Sequence, residues 1–438
     1  MNLLVTNTRH AHAYSIIRSL RPYARRVVAT MYGGSRFVAA LSHATNSRLV
    51  DKRYYVPSPV ADWRAGNIQR ENTEREEGYI RAVLTICEQE KIDTIFPSWD
   101  PLVYVFSKNK DRFERLGVLV PIPDYEAIRT AMDKYATARV AQEVGFPCPK
   151  TYLPESEKDL PWIAEEVGFP AIIRPRFTSG GEGMAIVGNL TELREKVRLI
   201  QATRGIPMIQ EFIPGTRVRG ESSFVLVTDK RGDLKTCFST RRLRTCLRLR
   251  NNMAVIHELA PLHPLLAHAV RLVQRLGLWG GMSVSTKVDV RDGVPKLMEI
   301  NPRLGSRLWH MTELGINAPL MILKIARGEE VEPVTDYPTG TLFLEPVEDA
   351  IQLGFWAMDS LMYKLRTRLL GRTPIDPLNA PTGCTEMIRS IQSTYFSGSR
   401  RRLFNPHFRY FLQDPAVSVL WWLTVARRVW SQTDRLGK

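Results

Sequence analysis

Apolar and polar positions along the first 115 residues alternate between short buried runs and amphipathic stretches. NLLVT (2–6), RRVVATM (25–31) and TIFPSW (94–99) are apolar runs of strand length. Between them HAYSIIRSLRPY and GYIRAVLTICEQEK carry apolar residues at helical spacing. Strands alternating with helices predict a doubly wound α/β unit over 1–115. The turn after the first strand, TNTRHAH, lacks GxGxxG, which argues against a dinucleotide-binding dehydrogenase.

The pattern changes beyond a proline-bounded segment, VPIPDYEA. In MDKYATARVAQEVGFP the spacing predicts a helix with Asp133 as N-cap, Lys134 in its first turn and Gly145 at its end. RPRFTSGGEGMAIV reads as strand, glycine-rich turn, strand. The amides of Ser179, Gly180, Gly181 and Gly183 can approach phosphate oxygens there, although most such hairpins are only hairpins. PMIQEFIPG (207–215), ESSFVLV (221–227) and two strands around RRLRTCLRLR (241–250) follow. A helix, HPLLAHAVRLVQRLG, precedes a hairpin of SVSTKVDV with KLMEIN, and LGINAPLMILKIARGE predicts a further helix. On KLMEIN, Glu299 and Asn301 are two residues apart, so one strand face carries a carboxylate beside a carboxamide.

Composition narrows the chemistry. The chain has 438 residues, 44% of them hydrophobic, enough for two or three packed units. Five scattered cysteines with no CxxC exclude a zinc or disulfide framework and fit reduced thiols in the cytosol. No signal segment is evident, and nowhere do about eighteen apolar residues run together. The net charge of +16 calls for acidic partners, and residues 351–438 hold 13 Lys and Arg against 5 Asp and Glu. Nucleic acid is disfavoured because no reader motif accompanies the charge. VSVLWWLTVARRVW (417–430) places tryptophans beside arginines, which fits a packed C-terminal helix, a homodimer contact or peripheral membrane contact through 415–438; packing is the expectation.

Four landmarks in order, MDK (132–134), IIRPRFTSGGEGM (172–184), IQEFIPG (209–215) and MEINPR (298–303), resemble the ATP-grasp superfamily of carboxylate-amine ligases, which includes biotin carboxylase and the large chain of carbamoyl-phosphate synthetase. The resemblance runs from about residue 1 to 330. It implies a pre-ATP-grasp domain over 1–115, an ATP-grasp α+β domain over 116–330, and a basic helical C-terminal extension over 331–438. It implies ATP with Mg²⁺, for which Mn²⁺ can stand, and small-molecule carboxylate and amine substrates. In the family pattern Glu299 and Asn301 match the metal-holding positions. Lys134 and Arg174 match phosphate contacts, Arg174 standing where a second lysine is common. Gln210, Glu211 and Ile213 match the strand that reads adenine, largely through backbone groups, and Glu221 the acid on the ribose. The glycine-rich turn matches the flap over the phosphates. Arg303 matches the arginine that meets substrate or the transferred phosphoryl group, and Arg241, Arg242 and Arg244 lie where related enzymes bring residues toward the phosphates; alternation lets only some face the cleft. The sequence departs from the pattern at Ser285, where relatives supply a further acidic or amide ligand, and Asp289 is roughly 13 Å along the strand from it. An ATP-binding protein with this fold and little turnover is therefore the alternative to a ligase.

Overall fold

The computed structural model describes residues 1–9, 11–32, 44–59, 73–178, 183–214, 221–246, 253–305, 307–354, 357, 384–398, 400–420 and 422–423. Three sheets organise them. The first is four-stranded and parallel, in the order β3-β2-β1-β4, from β1 (Asn2–Val5), β2 (Arg26–Met31), β3 (Lys52–Tyr55) and β4 (Thr94–Phe96). Leu3, Leu4 and Val5 are fully buried, as expected of a parallel strand covered on both faces. Helices Ala11–Leu20 and Thr73–Glu90 connect these strands, and helix Asp100–Lys108 follows β4.

A four-stranded antiparallel sheet, in the order β5-β8-β6-β7, comprises β5 (Thr151–Tyr152), β6 (Ala171–Arg174), β7 (Ala185–Val187) and β8 (Met208–Glu211). Helices Leu160–Val167 and Leu190–Arg204 close a small separate core on it around Leu160, Ile163, Ile173, Leu193 and Ile209.

The largest sheet has seven strands in the order β13-β12-β9-β10-β11-β14-β15: β9 (Glu221–Thr228), β10 (Leu234–Cys246), β11 (Met253–Ala260), β12 (Gly280–Val288), β13 (Pro295–Asn301), β14 (Leu342–Leu344) and β15 (Arg402–Phe404). Alternation gives it two apolar faces. Phe224, Leu226, Val284 and Ile300 pack with the helices of the N-terminal unit in one cluster. Val225, Val227 and Phe238 pack with Leu3, Val5, Tyr14 and Leu308 in another. The N-terminal unit and the large sheet thus share continuous cores.

Two strands of this sheet, β14 and β15, lie beyond residue 330, so the C-terminal region contributes strands as well as helices and the sheet runs past the expected domain limit. Arg244 ties the two together: its guanidinium pairs with buried Asp349 and donates to Ser390 Oγ at 2.8 Å and Thr394 Oγ1 at 3.3 Å. Tyr395 OH donates to Asp349 at 2.6 Å. Asp414, 2% exposed, accepts from Tyr14 OH at 3.4 Å and Ser47 Oγ at 2.5 Å, pinning the region to the N-terminal unit. Val417 is fully buried and Trp422 stacks on Phe411 at 5.3 Å, so the part of 415–438 that is described packs on the protein. No helix among the described residues is long and apolar enough to cross a membrane.

Candidate functional site

A cleft of about 660 Å³, partly open to solvent, lies between the small sheet and β13, and Lys134, Gln210, Glu299 and Asn301 line it together with Asp100 of the N-terminal unit. Local structure places each group. Asp133 caps helix Lys134–Glu143, accepting from Tyr135 N at 3.0 Å and Ala136 N at 3.3 Å. Gly145, at φ 71°, ends that turn of chain as read from the sequence. Asp133 also pairs with Arg176, and Lys134 N donates to Arg176 O at 3.2 Å, so the start of the helix is bolted to the segment after β6. The Lys134 ammonium hydrogen-bonds Thr178 O at the root of the glycine-rich turn. Desolvation pulls this ammonium down to about 8, with Glu299 opposing the shift and Arg174 adding to it.

Arg174, at the end of β6, crosses the cleft. Its Nη1 donates to Gln210 Oε1 and to Met298 O, each at 3.3 Å, and Nη2 lies 3.8 Å from Glu299 Oε2. Burial lowers its pKa. Glu299 and Asn301 share a sheet face, with Asn301 Nδ2 3.3 Å from Glu299 Oε1. Ser285 stands directly across the ladder from Glu299, and Ser283 from Asn301. The cross-strand position is therefore a serine, and Asp289 is fully buried in ion pairs with Arg291 and Lys296, which hold its carboxyl well below the ordinary range. Among the described residues no cluster of three His, Cys, Asp or Glu could cage a metal. One carboxylate with neighbouring amide and hydroxyl oxygens fits Mg²⁺, which keeps waters and shares its ligands with phosphates.

The expected adenine strand is built, with its side chains engaged elsewhere. Gln210 Nε2 donates to Thr151 Oγ1 at 2.8 Å, so this amide bridges Thr151 and Arg174. Glu211 N donates to Lys150 O at 2.9 Å, and its carboxylate pairs with Arg291. Ile213 is buried and its carbonyl accepts from Lys287 Nζ at 2.6 Å. Glu221 begins β9, its backbone opposite Lys287 of β12. Gly183, at φ 73°, ends the glycine-rich turn, where a Cβ would meet the Arg204 side chain at 2.9 Å; Ser179, Gly180 and Gly181 lie outside the described residues.

The arginine run divides. Thr240 lies opposite Ser223, which lies opposite Ser285, so Arg242, two residues on, is on the sheet face that carries Glu299. A register shift between Arg242 and Arg244 turns Arg244 to the other face, against Asp349, which removes it from the cleft. Arg241 pairs with Glu258 on that other face. Arg303, after β13, donates from Nη2 to Asp100 Oδ2 at 2.6 Å, and Gly305 leaves room for it, since a Cβ there would lie 3.0 Å from Arg303 Nη1.

Sequence reasoning missed two groups. Arg307, 9% exposed, donates to Ser283 Oγ at 3.0 Å and to Ser223 Oγ, placing a cation on the serine-lined face; its signal was a second arginine four residues past Arg303. Asp100 was legible only as an acid directly after the TIFPSW strand, where open α/β sheets place ligand groups.

A parallel N-terminal sheet, a small antiparallel sheet and a large one define an α/β protein whose cleft is lined by Lys134, Glu299 and Asn301, with Arg174 reaching Glu299 and Met298. The chain is similar to the ATP-grasp superfamily that holds the carboxylate-amine ligases: residues 133–334 match the family "Carbamoyl-phosphate synthase L chain, ATP binding domain" and residues 72–121 match "PylC-like, N-terminal domain". It is 24% identical over 304 residues to the carbamoyl phosphate synthase large chain, N-terminal section, of Methanopyrus kandleri, covering 66% of this chain and 53% of that one. It is 25% identical over 265 residues to the large chain of Thermoanaerobacter pseudethanolicus, covering 58% and 24%. The chain thus spans from about a quarter to about half of these relatives' length. In fold it is similar to the biotin carboxylase–beta-gamma-ATP complex from Campylobacter jejuni (TM-score 0.59, 17% identity, 75% of this chain and 72% of that one). It is also similar to the biotin carboxylase domain of Hydrogenobacter thermophilus 2-oxoglutarate carboxylase with MgADP and bicarbonate (0.60, 17%, 78% and 72%) and to N5-carboxyaminoimidazole synthetase from Staphylococcus aureus (0.54, 13%, 76% and 78%).

Proposed function

We propose that the protein is an ATP-dependent ligase that joins a small carboxylic acid to an amine. The observation that carries this reading is Glu299 and Asn301 on β13, facing Arg174 and Lys134 across one cleft with Arg303 beside it. Lys134 and Arg174 hold the ATP phosphates, Arg174 as a planar fork. The backbone between Gln210 and Ile213 reads adenine, Glu221 the ribose, and the turn over 179–183 covers the phosphates. Glu299 and Asn301 would hold Mg²⁺, which when bound neutralises phosphate charge.

The carboxylate oxygen attacks the γ-phosphorus, the bond from that phosphorus to the bridging oxygen breaks, and ADP leaves with the electron pair. The amine nitrogen then adds to the acyl carbon, the carbon–oxygen bond to phosphate breaks, and phosphate departs as the nitrogen loses a proton. No side-chain nucleophile enters either step. Arg303 and Arg242 offset charge on the acid and the transferred phosphoryl group, and positioning with fixed cations supplies the catalysis.

Coupled detection of ADP over a crossed library of acids and amines tests the reading. Release that needs both an acid and an amine is expected. The serine across from Glu299 favours a second reading, a nucleotide-binding protein with little turnover. Thermal stabilisation by Mg·ATP with no ADP from any pair would establish that reading in place of the first. Equal stabilisation by GTP would remove the adenine strand from the proposal.

A further inference from the structure

The C-terminal region turns apolar side chains outward. Leu412 is 88% exposed and Phe396 76%, the two highest values for a large hydrophobic residue among those described. Ile388, Phe408, Val419 and Leu423 are exposed in the same stretch of chain. Local geometry gives these side chains an outer face. Arg409 N, Tyr410 N and Asp414 N each donate to the carbonyl four residues back, which sets Phe408 and Leu412 on one side of that segment. In the helical stretch 415–420, Val417 and Ser418 are buried while Val419 is exposed, and Trp422 stacks on Phe411 while Leu423 is exposed. One face of this stretch is thus the packing described above, and the opposite face is apolar and open.

These segments are fastened around β15, the edge strand of the large sheet. Arg402 of β15 donates to Thr394 O at 2.7 Å and to Ser397 O, fixing the turn that carries Phe396. Phe404 of β15 meets Phe408 with ring centroids 5.4 Å apart. The polar groups that share this surface are arginines. Arg389, Arg400, Arg401 and Arg409 are exposed, whereas Asp414 is buried and turned toward Tyr14 and Ser47. Arg400 and Arg409 reach Glu258 and Glu313, but both of those side chains are under 10% exposed, so the surface presents the basic groups.

We propose that this face docks the protein on an anionic lipid surface. Phe396, Phe408, Leu412, Val419 and Leu423 enter the boundary between headgroups and acyl chains, and Arg389 and Arg401 meet lipid phosphates. A second copy docking by the same face would set arginine against arginine. An acidic protein would need a pocket matched to each side chain that stands clear of the surface, whereas a fluid bilayer accepts any arrangement of them. The 13 Lys and Arg against 5 Asp and Glu over residues 351–438 add to the attraction. None of the docking residues lines the cleft, so the proposal stands apart from the ligase reading.

Co-sedimentation of the full chain tests it, with vesicles of phosphatidylcholine and phosphatidylglycerol in equal parts and vesicles of phosphatidylcholine alone. Binding should be about tenfold or more tighter to the mixed vesicles. A chain of net charge +16 adheres to an anionic surface by any basic face, so matched pairs of variants decide the position. Phe396→Ser with Leu412→Ser keeps the charge and should weaken binding about tenfold or more, while Leu199→Ser with Ile206→Ser, exposed on the small-sheet unit, should leave it within about twofold. Arg389→Glu with Arg401→Glu should likewise weaken binding about tenfold more than the same charge change at exposed Arg139 and Arg194. All these side chains are exposed, so wild-type unfolding midpoints are expected throughout. Equal losses within either matched comparison, or equal binding to both kinds of vesicle, overturn the proposal. No binding to either kind overturns it too. Sedimentation velocity without vesicles supplies the remaining outcome: a dimer that Phe396→Ser with Leu412→Ser dissociates would assign the face to a second copy instead.

Discussion

Two arginine–aspartate pairs, each with a buried aspartate, join distant parts of this chain, and they are finished differently. At the C-terminal junction both oxygens of Asp349 are used, by Arg244 and by Tyr395, and Arg244 spends its second amino group on Ser390 and Thr394. At the cleft Asp100 uses one oxygen on Arg303, and the other meets no donor among the described residues. A buried carboxylate with both oxygens met holds elements together, while one with an unmet oxygen leaves part of its desolvation cost unpaid. The same contrast separates Arg242 from Arg244, two residues apart on one strand and turned to opposite faces by a bulge.

The largest expected effect falls on the closed pair. Asp349→Ala strands the Arg244 guanidinium in the interior and should cost about 3–5 kcal/mol, read as a lower denaturant midpoint, while the protein that remains folded binds Mg·ATP normally. A loss below 1 kcal/mol would erase the distinction between the two pairs. Next comes Glu299→Gln, which removes the one carboxylate on the cleft face of β13 and should abolish any acid- and amine-dependent ADP release with the denaturant midpoint unchanged. Wild-type turnover with its Mg²⁺ dependence in that variant would take Glu299 out of the metal site.

Smaller losses are expected from Lys134→Ala and Arg174→Ala, each weakening ATP tenfold or more, about 1.4 kcal/mol, in calorimetry. Unchanged affinity in both would mean that the cleft is lined by the wrong groups.

The mildest effect is a pH dependence. In the free protein the Lys134 ammonium lies near 8, below its unfolded value, so between these two values the unfolded chain carries more protons and stability rises with pH. Phosphates restore the charge, so ATP binding takes up a proton and affinity should fall as pH rises through about 8. Lys134→Met should flatten that profile and, by removing a desolvated charge, stabilise the ligand-free protein. A flat wild-type profile between pH 7 and 9 would show that Lys134 does not meet the phosphates.

Local signals carried much of the architecture because each depends on a few neighbouring residues. The Asp133 cap, the Gly145 stop and the pairing of Glu299 with Asn301 on one face follow from capping geometry and a period of two. That Ser285 stands opposite Glu299 was legible from the family resemblance and not from the hairpin, because a register shift between Ser285 and Thr286 moves the ladder by one residue there. The fate of the arginine run was not readable, since whether Arg242 and Arg244 share a face turns on one bulge that alternation cannot foresee. Nor was the partner of a long side chain, which depends on chain brought in from elsewhere: Arg174 finds Met298 O 124 positions away, and Arg303 finds Asp100 203 positions back. The residues of this chain determined by themselves that Lys134 opens a helix, that Arg174 ends a strand and that Glu299 and Asn301 share one strand face. Only the tertiary structure decided that β14 and β15 complete the large sheet, that Arg244 serves the junction, and that Asp100 reaches the cleft, because each depends on segments far apart in sequence sharing one buried interface.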